Sequence, residues 1–282
     1  MIATSATYDL LRQCPYAIVD PLRTETFPVD IASTPLVPLW LRGQASQLPC
    51  LVQLGGMAAE LTVRLLEILD RETGMQEAPC IAMLIFTDAD AGPDALRAHL
   101  VDRLTIRHRG RQALLRYYDP RVFLQLTWML TPGQLGWLLG PIDRVAGWVS
   151  GQWRVFDKLN AAGDSRLADT ATLARIGLIN DVLAVTDCGP DTAQIIALSR
   201  RIERALRRAE THGLHNEDDR IAFATHAVSV HDEFDAHPQI AALLESRDAE
   251  TSYRDAARLL DEADWQRIGN DLHNKNLARI AP

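Results

Sequence analysis

Strand signals crowd the first half of the sequence and fade from about Ser165 onward. That change of periodicity limits the fold to an α/β part followed by a helical part. Tyr16-Ala-Ile-Val-Asp20 reads as a short strand ended by Pro21. Leu36-Val-Pro-Leu-Trp-Leu41 and Cys50-Leu-Val-Gln-Leu54 are further strand candidates, with Pro38 making the former an edge or a bend. A helix is predicted from about Met57 to Thr73, with Ala58, Leu61, Leu65 and Ile68 on one stripe and Gly74 as its stop. Ile81-Ala-Met-Leu-Ile-Phe86 is apolar without alternation, as in a strand covered on both faces. Leu96, Leu100 and Leu104 mark the next helix, and Thr105 to Tyr118 reads as a hairpin turning at Gly110 or as two strands near each other. Trp148-Val-Ser-Gly-Gln-Trp153 reads as the joint between the halves, in the form of a last hairpin. Helices are then expected around 166–185, 191–212, 217–230, 238–246 and 251–268. The fold class is therefore α+β: a mixed α/β lobe over 1–158 and an all-helical lobe over 159–282.

A chain of 282 residues with 47% hydrophobic and 23% charged residues has the balance of a folded globular protein. A net charge of −8 argues against nucleic acid or an anionic membrane surface as the main partner. Met1 to Gln13 lacks the basic lead and apolar core of a signal peptide. The most apolar stretch, Val122 to Val149, is interrupted by Gln125, Thr131-Pro-Gly-Gln134 and Asp143-Arg144, so it does not read as a membrane span. Cys14, Cys50, Cys80 and Cys188 form no Cys-x-x-Cys pair and are expected to be reduced and buried. Together these features predict a soluble cytoplasmic protein.

Residues Leu114 to Pro141 carry dense helix punctuation. A strand Leu114-Leu-Arg-Tyr-Tyr118 leads to Asp119-Pro120, where Asp119 can cap a helix and Pro120 fits its first turn. That helix has one apolar stripe of Val122, Phe123, Leu126, Met129 and Leu130, and a second with Leu124 and Trp128 beside Arg121. A solvent-facing helix needs only one such stripe, so cover on more than one side is expected, by its own lobe or by a partner. Thr131-Pro-Gly-Gln134 has capping-box spacing, and the short helix it starts should end at Gly140-Pro141. Helix-end physics alone accounts for Asp119, Pro120, Thr131, Gly140 and Pro141.

The run Leu115-Arg-Tyr-Tyr-Asp-Pro-Arg-Val-Phe123, with Leu130-Thr-Pro-Gly-Gln134 and Leu139-Gly-Pro141, resembles the effector-loading adaptors of bacterial type VI secretion. These Tap or Tec adaptor/chaperones carry a domain first described as of unknown function. Tyr16–Asp20, Leu36–Leu39 and the helix with His99-Leu100 are similar as well, so the resemblance covers roughly 15–145. It implies a cytoplasmic chaperone, not an enzyme, that binds a toxic effector and helps mount it on the VgrG spike. No cofactor or metal is implied, and no catalytic residues carry over. The motif positions are Arg116, Tyr118, Asp119, Pro120, Arg121, Gly140 and Pro141, which either define the fold or contact the partner. Tryptophan and arginine dominate binding hot spots. Arg116, Tyr118, Asp119, Arg121, Trp128 and Trp137 are therefore the candidate partner-binding residues.

Other motifs carry less. Asp88-Ala-Asp-Ala-Gly-Pro-Asp94 partly matches a calcium loop but lacks the third spaced acid and the distal glutamate. His226, His231, Asp232, Asp235 and His237 form the densest set of possible ligands, and a metal-dependent hydrolase built on His226, His231 and Asp232 is the alternative function. His226 and His231 are five apart, on different helix faces, whereas a ligand pair on one face needs i, i+4. Arg200, Arg201, Arg204, Arg207 and Arg208 share a helix with Glu203 and Glu210, a solvated face or a site for an acidic partner segment. There is neither a Gly-x-Ser-x-Gly elbow nor a glycine-rich phosphate loop.

Overall fold

A computed structural model describes residues 3–4, 7–23, 27–28, 30–75, 77–87, 92–108, 110–158, 167, 170–246 and 251–280. The chain divides into two compact units, Met1–Leu173 and Ala174–Pro282. The first opens with β1 (Ala3–Thr4), α1 (Thr7–Gln13), β2 (Tyr16–Val19), β3 (Ser33–Pro35), β4 (Cys50–Gln53) and α2 (Ala59–Gly74). It continues with β5 (Ile81–Thr87), α3 (Pro93–Arg103) and the hairpin β6 (Thr105–His108) and β7 (Arg111–Leu114). Next come α4 (Pro120–Met129), α5 (Pro132–Leu139), β8 (Ile142–Val149) and β9 (Gln152–Asp157). Seven strands form one sheet in the order β1-β9-β8-β5-β2-β4-β3, every neighbouring pair antiparallel.

β5 is central and buried over Ile81–Phe86, as its unbroken apolar run predicts. Ala17, Val19, Leu84, Phe86 and Ala146 share a core with Leu10 and Leu11 of α1 and Leu65, Ile68 and Leu69 of α2. Met83, Ile85 and Ile18 are buried as well. α4 and α5 pack against β8. Phe123 of α4 meets Phe156 of β9 edge-on, ring centres 5.3 Å apart. The approach of α4 is close: a Cβ on Gly147 of β8 would lie 3.0 Å from the Pro120 ring.

Three local expectations need correction. Leu36–Leu41 is not a strand. The extended residues are Ser33–Pro35, and two prolines confine regular pairing to that short piece before 3₁₀ turns occupy Leu39–Gln47. The strand predicted over Leu114–Tyr118 stops at Leu114, because a turn closes with Asp119 N–H donating to the Arg116 carbonyl at 2.9 Å. The hairpin expected at Trp148–Trp153 is present, but residues 142–147, read only as the end of an apolar stretch, belong to it as well and make its first strand, β8. It turns through Ser150 and Gly151, both at positive φ, into β9.

Beyond Asp157 the described elements are helical: α6 (Thr170–Ala184), α7 (Thr192–Thr211), α8 (Glu217–Ser229), α9 (Pro238–Ser246), α10 (Tyr253–Ala257) and α11 (Glu262–Ile280). The single helix expected over 251–268 is two. Asp261 and Asp264 cap each other's amides, Asp264 N to Asp261 Oδ1 at 2.8 Å and Asp261 N to Asp264 Oδ2 at 3.3 Å, and this starts a new helix. The α+β class thus holds, with an antiparallel sheet and a helical C-terminal region.

Candidate functional site

The motif segment is fastened to the sheet by charge. Asp20, buried at the end of β2, accepts a bond from Leu22 N–H at Oδ1 (3.1 Å) and pairs through Oδ2 with Arg116 Nη2 at 2.9 Å. The Arg116 guanidinium also lies 5.6 Å from the Tyr118 ring centre, and its buried Nε has no hydrogen-bond partner. Burial raises the Tyr118 pKa, opposed by Arg116. Tyr117 is buried with its hydroxyl donating to the Leu100 carbonyl at 3.0 Å. The turn between β7 and α4 is therefore held from both α3 and β2.

Asp119 is the N-cap of α4, accepting from Arg121 N at 3.0 Å, and forms a fork with the Arg121 side chain at 3.1 and 2.7 Å. Its burial alone would raise the carboxyl pKa. Hydrogen bonds and charge from Arg121 outweigh that and hold it below the ordinary range. The Asp119 side chain is buried whereas Arg121 is 62% exposed. Asp119→Ala should cost about 1–2 kcal/mol in urea unfolding, through the lost cap, and Asp119→Asn distinctly less because the acceptor remains. The charged fork contributes above the unfolded carboxyl pKa and is lost as pH falls through the lower folded value. Equal losses for Ala and Asn would mean that the charge, not the cap, matters here.

α4 and α5 follow the predicted punctuation. Both arms of the Thr131–Gln134 capping box form, at 3.0 and 3.3 Å. Phe123, Leu124, Gln125 and Leu126 are buried in succession, so α4 is covered on several sides. Trp128 is half-buried and donates from Nε1 to Gln125 Oε1 at 2.8 Å. Trp137 is half-buried beneath Arg103, whose Cζ lies 3.7 Å from the ring centre and whose Nε donates to the Trp137 carbonyl. The structure thus brings Arg116, Tyr118, Asp119 and Arg121 together, and sets Trp128 and Trp137 on the helices that follow. Sequence reasoning placed Asp20 at the end of its strand but missed it as the carboxylate anchoring Arg116. Its only signal was a lone acid ending an apolar run.

The histidine cluster does not converge. His226 packs among rings, stacked on Trp265 with centres 4.1 Å apart, and shares a 2.7 Å hydrogen bond between Nδ1 and the Tyr253 hydroxyl. His231 Nδ1 accepts from Glu233 N. Asp232 pairs with Arg201, Asp235 with Arg208 and His212, and His237 with Asp271. Among the described residues no group of three or more His, Cys, Asp or Glu side chains is arranged to hold a metal ion. The reason is that each carboxylate of the cluster already neutralises a cation of its own unit. The same pairs, with Arg207 on Glu203, satisfy much of the arginine face of α7. Asp88 and Asp90 of the calcium-like motif lie outside the described residues. Cys14 and Cys80 are buried and Cys50 and Cys188 half-buried, all free thiols. Burial pushes the pKa of Cys14, Cys50 and Cys188 upward, away from nucleophilic thiolates.

What the geometry defines is an α+β unit whose charged side chains fasten a motif segment to a sheet. Residues 16–136 match the family model described as Domain of unknown function (DUF4123), a domain family known in type VI secretion effector-loading adaptors. The match takes in Asp20, Arg116, Tyr118, Asp119, Arg121 and Trp128 and stops one residue before Trp137. Neither the curated proteins nor the solved structures gave a match. No described helix is long and apolar enough to cross a membrane.

Proposed function

We propose that this protein is a cytoplasmic adaptor that binds a toxic effector of type VI secretion and helps load it onto the VgrG spike. One observation carries the reading: the family match over 16–136 spans the whole charge-linked segment from Asp20 to Arg121. In this reading residues 1–158 form the adaptor lobe and 159–282 a helical lobe. Arg121, held at its inner edge by Asp119 and otherwise open to solvent, presents a rigid guanidinium to a partner. Trp128 and Trp137 add half-buried aromatic surface nearby in sequence.

The test is co-expression with a type VI secretion effector and a VgrG from the same genome, followed by size-exclusion chromatography with mass determination. A stoichiometric complex with either is expected. Absence of any complex, with the chain folded, would sink the adaptor reading. Arg121→Ala should lower effector recovery several-fold, measured per amount of folded protein because the change also leaves the buried Asp119 carboxylate without its charge partner. Full recovery with that variant would remove Arg121 from the interface.

A further inference from the structure

Of the five large apolar side chains left in water among the described residues of the N-terminal unit, three lie on two adjoining segments and two, Val63 and Met75, on α2 and its end. Leu22 is 68% exposed, Leu39 75% and Trp40 36%. They sit on two 3₁₀ segments, Pro21–Arg23 and Leu39–Gln47, which touch. None of the residues Leu39–Gln47 is buried. Trp40 is nonetheless fixed, its Nε1 donating to Thr105 Oγ1 of β6 at 3.0 Å. Leu22 is fixed too: its amide and Arg116 Nη2 bind opposite oxygens of the Asp20 carboxylate.

The stretch that carries Leu39 and Trp40 holds charge of one sign. The chain holds 37 acidic residues, yet from Ile31 to Ala59 the only charged residue is Arg42. Arg42 is exposed and forms no ion pair among the described residues. On the side of Leu22, Arg23 follows in the chain, and the buried Asp20 carboxylate is paired with Arg116. A surface meant only for water would be studded with charges of both signs, and rigid apolar side chains beside unpaired arginine mark binding surfaces.

We propose that Leu22, Leu39 and Trp40, with Arg42 at the rim, dock a partner protein's segment that presents two or three apolar side chains flanked by a carboxylate. The apolar chains cover the patch, and the carboxylate meets Arg42. The preformed Trp40 spares the complex the ordering of that ring. This inference rests on the adaptor reading and names a surface for it distinct from Arg121.

The experiment uses the full chain co-expressed separately with the effector and with VgrG. Three variants are compared with the wild type: Leu22→Asp/Leu39→Asp, Arg42→Glu, and Leu259→Asp as a control on an exposed leucine in the other unit. The double variant should lose at least tenfold in recovery of one of the two partners. Arg42→Glu should lose several-fold for the same partner, with melting temperatures unchanged, and the control should bind fully. Because both leucines face water, the double variant should fold. If its melting temperature falls, Arg42→Glu alone decides. Recovery of both partners at wild-type levels by the double variant and Arg42→Glu overturns the surface and leaves the adaptor reading intact. A wild-type chain that recovers neither partner overturns both.

Discussion

Replacing Gly140 by alanine should destabilise the N-terminal unit by about 4 kcal/mol, enough to deplete soluble protein. Gly140 has φ +55 and ψ −113, a backbone geometry that side chains strongly disfavour. A Cβ there would also lie 2.2 Å from His99 Cε1 and 2.6 Å from Nε2, inside any tolerable contact. The ring is half-buried and held in place. Its Nε2 sits 2.9 Å from the Leu138 carbonyl, which fixes the proton on that nitrogen, and its helix is anchored by buried Leu96 and Leu100. Backbone strain of about 1–3 kcal/mol and overpacking of about 1–3 kcal/mol therefore add. The two separate in a double-mutant cycle with His99→Ala, read by urea unfolding. Removing the ring should return the steric share and leave the backbone share, a coupling of about 1–3 kcal/mol. Strict additivity would mean that the ring is not the obstacle. Gly140 in Leu139-Gly-Pro141 lets α5 end against His99 of α3.

How much of this was legible depends on how local the physics is. Asp119, Thr131, Gln134 and Gly140 act on backbone groups within a few residues, so α4 and α5 could be placed from the sequence alone. The Asp261–Asp264 cap was equally local and could have been read; the apolar pattern across 251–268 hid it. β8 is different. Its exposed Asp143 and Arg144 break the period-two pattern, and what makes it a strand is pairing with β5, some sixty residues earlier. Arg144 lies over the Phe86 ring, 4.6 Å from its centre, a contact that exists only once the sheet has formed.

The candidate site divides the same way. Residue types Arg116, Tyr118, Asp119 and Arg121 could be picked out, and the Asp119–Arg121 fork is a contact between near neighbours. The Asp20–Arg116 pair joins residues 96 apart and could not. Nor could the exposure of Leu22, Leu39 and Trp40, since apolar residues in a sequence are read as core by default. The charge gap from Ile31 to Ala59 was visible and is the signal that could have found that patch.

Acidification should loosen the C-terminal unit between about pH 6.5 and 4, through His226. Burial lowers its pKa from 6.5 to about 4, with no carboxylate offsetting the effect. Phe234, Tyr253 and Trp265 surround the ring, and the cations near it, Arg254 and Arg258, line a shallow cavity of about 340 Å³ beside it. Because the folded value lies below the unfolded one, the unfolded state takes up the proton first. Stability from the neutral ring is complete above pH 6.5 and is lost progressively as pH falls towards 4. Below that both states are protonated and this group adds no further slope. The full difference amounts to about 3 kcal/mol. Urea unfolding at half-unit steps from pH 7 to 4 should show close to one extra proton bound on unfolding in the middle of that window. His226→Phe keeps the stack on Trp265 and should remove that proton, at a cost of about 1 kcal/mol for the stranded Tyr253 hydroxyl at pH 7. The ring protons of His226 should titrate near pH 4 by NMR. A midpoint near 6.5, or an unchanged slope in His226→Phe, would show that water reaches the ring and that the aromatic cluster is looser than its packing implies.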